Sequence, residues 1–248
     1  MDGFLSIKQT GRPGWHRQYG HCSKLAASPR LGGSKSDRRM ALIAAAALLL
    51  GAGWAQATGT ATGAATVLVV GDSLSAEYGI ARGSGWVALL QQRLSQQKPG
   101  ARVVNASISG DTTSGGRSRL PALLSQHRPQ VVVIELGGND ALRGLALNMT
   151  EDNLRAMAQA SRKAGAQVLL LGMQMPPNYG AKYSADFAAL YVQVARQTQS
   201  ALVPFFLQGV ADRPDPTELF QADRIHPNEQ AQPRMLDNVW PELRKLIK

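Results

Sequence analysis

Four short segments of this 248-residue chain gather side chains suited to chemistry at a carbonyl group. The first is Gly71-Asp72-Ser73-Leu74-Ser75. A serine hydroxyl is a poor nucleophile at neutral pH and needs an adjacent base. A strand-to-helix turn would expose Ser73 and aim backbone N–H groups at the reacting centre. Asp and Ser also cap helices readily, so this segment alone fits a cap as well as a nucleophile.

The second segment is Asn105-Ala106-Ser107-Ile108-Ser109-Gly110-Asp111-Thr112. Gly110 lets the backbone approach a ligand closely, and its N–H could then donate to an oxyanion. Taken alone, it reads more simply as a turn glycine. The third is Gly137-Gly138-Asn139-Asp140. Its glycines permit an irregular backbone, and the Asn139 amide is a neutral donor of the kind that suits a transient oxyanion. An exposed Asx turn is the other reading.

The fourth segment is Asp223-Arg224-Ile225-His226-Pro227. In an Asp-x-x-His turn the carboxylate can hold one imidazole nitrogen and leave the other free as general base. The chain has four histidines, and His16 and His21 lie near its N-terminus. His127 falls in the polar helix end Gln126-His127-Arg128-Pro129, which leaves His226 as the credible base.

Two other chemistries draw on the same residues. Asp72, Asp111, Asn139, Asp140 and His226 could be the donors of a metal-dependent phosphoesterase. Such sites normally use several histidines, so no metal or other cofactor is expected. A non-catalytic periplasmic binding module would keep the crevice without turnover; the joint presence of Ser73, Asp223 and His226 argues against it.

Short apolar runs must position these segments. Thr66–Val70, Ala101–Asn105, Val131–Glu135, Val168–Leu171 and Ala201–Phe205 read as strands. Most are continuous and rich in β-branched residues, as strands covered on both faces are. Helical spacing runs over Trp86–Gln97, Gly116–His127, Thr150–Ala164, Ser184–Ser200 and Pro227–Leu246. Thr150 and Asn153 mark a helix start, Gly165 a stop, and Pro233 a bend in the last helix. Serial β-α units predict an α/β fold, a three-layer α/β/α sandwich on a five-stranded parallel sheet in the order 2-1-3-4-5. Ligands of such sheets gather at the carboxyl ends of the strands, so the segments after strands 1, 2 and 3 should share one crevice.

The net charge of +10 is concentrated at the N-terminus: residues 1–57 carry eight Lys/Arg against two Asp/Glu, and the other 191 carry 19 against 15. No basic run with interleaved aromatics follows, so no nucleic-acid partner is expected. Met40–Gly53 is an uncharged, mostly apolar stretch too short to span a bilayer comfortably. With Arg38 and Arg39 before it and Ala55-Gln56-Ala57 after it, residues 40–57 read as a signal peptide cleaved after Ala57. The general secretory route fits better than twin-arginine export, and the product would be periplasmic or secreted. Residues 1–39 are a lead-in without hydrophobic periodicity, which points to a translation start downstream of Met1. Cys22, the only cysteine, falls there, so residues 58–248 form a domain without disulfide or cysteine nucleophile.

In this order the four segments resemble the GDSL or SGNH hydrolase superfamily, and within it the bacterial periplasmic thioesterase I/arylesterase/lysophospholipase group. The matching stretches are GDSLSAEYGI, VVNASISGDTT, RLPALLSQHRP, ELGGNDALRG, PPNYG and IHPNEQAQP, within about Thr66 to Trp240. The resemblance implies a flavodoxin-like sandwich and a triad of Ser73, Asp223 and His226. It implies an oxyanion hole from the N–H groups of Ser73 and Gly110 and the Asn139 amide. It also implies hydrolysis of aryl esters, fatty acyl thioesters or lysophospholipids; separately, the processed product is expected to be a monomer without a stable membrane span. Tyr78, Met173, Met175, Pro176, Asn178 and Tyr179 fall in loops that could line an acyl groove.

Overall fold

The computed structural model describes residues 65–215 and 217–248. The described residues all fall within a single compact unit. The lead-in, the apolar leader and the cleavage point after Ala57 lie outside the described residues.

Five parallel strands form one sheet in the order β2-β1-β3-β4-β5, as expected. They are β1 (Thr66–Gly71), β2 (Arg102–Asn105), β3 (Val131–Glu135), β4 (Gln167–Leu171) and β5 (Ala201–Val203). Every residue of β1 and β3 is buried, which is why both read as unbroken apolar runs. Burying each Val, Leu or Ile contributes about 1.5–3 kcal/mol, so this centre is the main apolar core. Edge strand β2 is largely exposed or half-buried.

Helix α1 (Trp86–Gln97) packs with α6 (Gln232–Leu246), while α2 (Thr113–His127), α4 (Leu147–Lys163) and α5 (Ala181–Thr198) pack in sequence with one another. A short helix, α3 (Gly138–Leu142), follows β3.

Several expected boundaries move, each for a local reason. Helix α2 begins at Thr113, because Thr112 is its cap and accepts from Gly115 N–H. Helix α4 begins at Leu147; Thr150 and Asn153 are buried inside it and reach Asp140 and Thr113, so their polarity mimicked a cap. Helix α5 begins at Ala181 rather than Ser184. Gly165 does follow the end of α4 with φ of +88°. Strand β5 stops at Val203, short of Phe205, where Gly172 packs against the Pro204 carbonyl. Pro227 stands outside α6, in a bridge with Phe220, and Pro233 occupies the first turn of α6, where proline needs no bend.

The register carries this fold to the site. Val69 lies beside Asn105 of β2 and Val133 of β3, and Gly71 lies beside Glu135. The ends of β1 and β3 are therefore level, β2 ends two residues earlier beside Val69, and the segments that leave them start from one edge.

Candidate active site

Strand β1 ends in a tight turn rather than entering a helix at once. Ser75 and Ala76 N–H donate to Asp72 O, and Leu74 N–H donates to the Asp72 carboxylate at 3.0 Å. Helix α1 starts only at Trp86, so the expected strand-to-helix turn is corrected to a strand followed by a side-chain-capped turn. Ser73, half-buried, sits at its apex. Among the described residues, no hydrogen bond engages the Ser73 or Gly110 N–H.

The segment after β2 is laced to this turn. Ile108 N–H donates to Gly71 O at 3.0 Å, and the Asn105 amide donates to Ser75 O at 2.7 Å. Gly110 has φ of +77°, a backbone that other residues rarely adopt. Arg143 donates to its carbonyl at 2.8 Å. Arg119 of α2 binds Asp111, the Ala106 carbonyl and, at 3.4 Å, the Gly71 carbonyl.

After β3 the chain turns through Gly137, at φ of +121°, where a Cβ would meet the Tyr191 hydroxyl at 2.2 Å. Asn139 is thereby set in α3, not in a loose Asx turn. Its amide donates to Asp72 Oδ2 at 3.0 Å, which fixes the rotamer and leaves the second N–H of the same nitrogen uncommitted.

The C-terminal loop completes the arrangement. His226 Nε2 lies 2.9 Å from Ser73 Oγ, and Nδ1 lies 2.7 Å from Asp223 Oδ2. Asp223 Oδ1 also accepts from the N–H groups of Ile225 and His226. Those two amides, the His226 one foremost, together with the imidazole hold the Asp223 carboxyl down at about 2. It therefore remains an anion at the Nδ1 side of the ring.

Tyr78 packs its ring on His226 with centroids 4.5 Å apart, and it lines a small cavity with Ser73, Leu74, Glu77 and Pro227. Met173 and Met175 are buried in the core, while Pro176, Asn178 and Tyr179 are exposed on the loop after β4. Among the described residues, no hydrogen bond or ring contact joins those five to Ser73 or His226. His127 lies in the last turn of α2.

The other acidic groups near the strand ends are occupied. Asp111 pairs with Arg119 at 2.8 Å, and Asp140 takes the Thr113 N–H at 2.9 Å. Among the described residues, no three His, Cys, Asp or Glu side chains are arranged to hold a metal ion.

Residues 69–233 match the model of the GDSL-like lipase/acylhydrolase family. The chain belongs to that family. It is 56% identical to esterase TesA of Pseudomonas aeruginosa over 184 residues, 74% of this chain and 90% of the relative. It is 43% identical to thioesterase 1/protease 1/lysophospholipase L1 of Escherichia coli K12 over 187 residues, 75% of this chain and 87% of that one. Its fold matches the crystal structure of the psychrotrophic esterase EstA from Pseudoalteromonas sp. with a TM-score of 0.68 and 40% identity. That match covers 73% of this chain and 97% of EstA. This family member is accordingly a serine hydrolase of carboxylic esters and thioesters.

A buried acid that the sequence did not single out, Glu135, stands behind the family's serine turn beside Asp72. Glu135, at the end of β3, is fully buried; its Oε2 accepts from Ser75 Oγ at 2.7 Å and from Asp72 N–H at 3.3 Å. Trp86 Nε1 donates to Ser75 Oγ at 3.1 Å. Burial, offset in part by Leu74 N–H and the Asn139 amide, pushes Asp72 up to about 6. Burial and the neighbouring Asp72 carboxylate push Glu135 well above the ordinary carboxyl range. The signal for Glu135 was a lone acid closing the otherwise apolar run VVVIE.

Proposed function

We propose that the chain hydrolyses acyl esters and thioesters through an acyl-enzyme on Ser73, with His226 as general base and acid and Asp223 as its orienting anion. The observation that carries this reading is the continuous contact from Asp223 through the imidazole to Ser73 Oγ. As Oγ attacks the substrate carbonyl, His226 Nε2 takes its proton, and the imidazolium that forms faces the Asp223 carboxylate. The tetrahedral oxyanion is held by the N–H groups of Ser73 and Gly110 and by the Asn139 amide, neutral donors that stabilise charge as it develops. His226 then returns the proton to the leaving alkoxide or thiolate. Water, deprotonated by the same imidazole, releases the acid and regenerates Ser73.

The substrates proposed are aryl esters, fatty acyl thioesters and lysophospholipids. Family likeness supports that range, the E. coli relative's name supports thioesters and lysophospholipids, and that of a Vibrio mimicus relative, an arylesterase, supports aryl esters. Site roles for Tyr78, Met175, Pro176, Asn178 and Tyr179 along the acyl chain belong to the same proposal, with Tyr78 favoured by its place against His226. The apolar leader supports export to the periplasm or medium with cleavage after Ala57, and a monomer is part of the same proposal; no helix among the described residues is long and apolar enough to cross a membrane.

Rates on p-nitrophenyl esters and acyl-CoA thioesters from acetyl to palmitoyl, for the processed protein and its Ser73→Ala variant, test this reading. Turnover of both series that disappears in the variant is expected. Activity that survives the substitution would remove Ser73 from the mechanism.

A further inference from the structure

Glu135 is a buried acid that none of the steps above uses, yet its contacts surround the nucleophile. One oxygen, Oε2, takes the backbone N–H of Asp72 and the hydroxyl of Ser75, the residues one before and two after Ser73. The other oxygen, Oε1, is buried and has no donor facing it. Asp72, whose N–H binds Oε2, carries a carboxyl near enough to push that of Glu135 up, and Asp72 Oδ2 in turn takes the Asn139 amide. Among the described residues, no cation is paired with Glu135; Arg119, the nearby cation of α2, is engaged with Asp111 and backbone carbonyls.

Two carboxylates buried beside each other without a bound cation are not both readily charged, so the arrangement holds a proton. Asp72 already receives two N–H donors, from Leu74 and Asn139, which favour its charged form. Glu135 receives no charged donor and has a bare oxygen, where a hydroxyl would supply the missing hydrogen bond. We infer that Glu135 is a positioning residue for the hydrolytic reaction: as a neutral carboxylic acid it grips both flanks of the Ser73 turn and donates to Asp72, which in turn aims the Asn139 amide at the oxyanion. This rests on the proposed roles of Ser73 and Asn139.

Neutrality also matters for the charge that develops. A single anion on Asp72 polarises and orients the Asn139 amide. A second anion one shell behind would oppose the oxyanion. The titratable groups beside the pair are Tyr191 of α5, whose hydroxyl donates to Leu136 O at 2.9 Å, and His226, with Asp140 of α3 acting on Tyr191. Burial and these acids push the Tyr191 phenol well above its usual range, so it adds no charge near neutrality.

The test compares the processed protein with Glu135→Gln and Glu135→Ala on p-nitrophenyl butyrate, with thermal melts for each. Glutamine reproduces the neutral acid, since its oxygen accepts from Ser75 and Asp72 N–H while its NH2 donates to Asp72. E135Q is therefore expected to keep kcat within about threefold of the parent, a hydrogen bond being exchanged for a similar one. E135A is expected to lose about 10–100-fold in kcat with little change in KM, as misplaced groups do. In the parent, kcat falls at alkaline pH as Glu135 loses its proton, and that fall is absent from E135Q. The positioning role is overturned if E135Q is as impaired as E135A, if both match the parent, or if the alkaline fall persists in E135Q. Should E135A fail to fold, E135Q and its pH profile decide alone. Activity lost in Ser73→Ala but unaffected by either Glu135 change would reject this inference and leave the serine mechanism standing.

Discussion

His226 Nε2 and Ser73 Oγ are 2.9 Å apart although 153 positions separate them in the chain. The contact is made by the end of β1 and by the loop before α6, two segments that meet only because the parallel sheet ends at one edge. The ring cannot drift from Ser73 easily, because Asp223 binds its Nδ1 and Tyr78 covers its face. His226→Ala is expected to lower kcat by at least about 10³-fold without unfolding the protein, measured on a p-nitrophenyl ester.

Asp223→Asn separates orientation from charge. The variant retains an oxygen for the N–H groups of Ile225 and His226 but presents an amide to Nδ1, which stabilises the wrong tautomer. A loss of about 10³–10⁴ in kcat is expected, with a near-native melting temperature at neutral pH. The same change alters acid stability. Asp223 is held at about 2 against 3.8 when unperturbed, so its contribution is present above 3.8 and lost as pH falls toward 2. Over that window the parent's melting temperature should fall more than that of D223N.

Asn139→Ala would remove the proposed neutral oxyanion donor and leave Asp72 Oδ2 without its amide partner. A fall of about 10²–10³ in kcat with KM nearly unchanged is expected from steady-state rates.

Asp72 reverses the usual pH behaviour of a carboxylate. Its pKa is raised by burial from 3.8 to about 6, so the folded state favours the protonated form. The stability this provides is fully present below 3.8 and is lost as pH rises through about 6. Melting temperatures across that range should decline in the parent relative to Asp72→Asn, which has no proton to lose.

Arg119 ties the loop carrying Gly110 to the end of β1 through Asp111, Ala106 O and Gly71 O. Arg119→Ala is expected to destabilise by about 2–4 kcal/mol in urea unfolding, since it leaves Asp111 half-buried and unpaired. Lysine should restore little of this, because a single ammonium cannot serve three acceptors set in a fork.

Much of this was legible from the residues alone. The runs TVLVV and VVVIE announce strands buried on both faces, and the β-α alternation sets a parallel sheet whose ends must converge. The contact from Asp223 through His226 to Ser73 was readable because histidine is scarce and because Asp223 and His226 share one short turn. Other features were hidden for physical reasons. Thr150 and Asn153 look like a helix start but serve a buried network with Asp140 and Thr113, which only tertiary contact reveals. Pro233 suggested a bend until its place in the first turn of α6 was known. Glu135 had no visible partner, because Asp72 and Ser75 lie 60 or more positions away and meet it only across the β1–β3 register.

The most direct measurement of the central claim is covalent trapping. A fluorophosphonate should add once per molecule, the adduct should map by peptide mass spectrometry to Ser73, and ester hydrolysis should vanish in proportion to labelling. Ser73→Ala should take no label, and His226→Ala should label far more slowly. Attachment at another residue, or full hydrolysis by protein whose Ser73 is completely modified, would contradict a serine mechanism centred on Ser73.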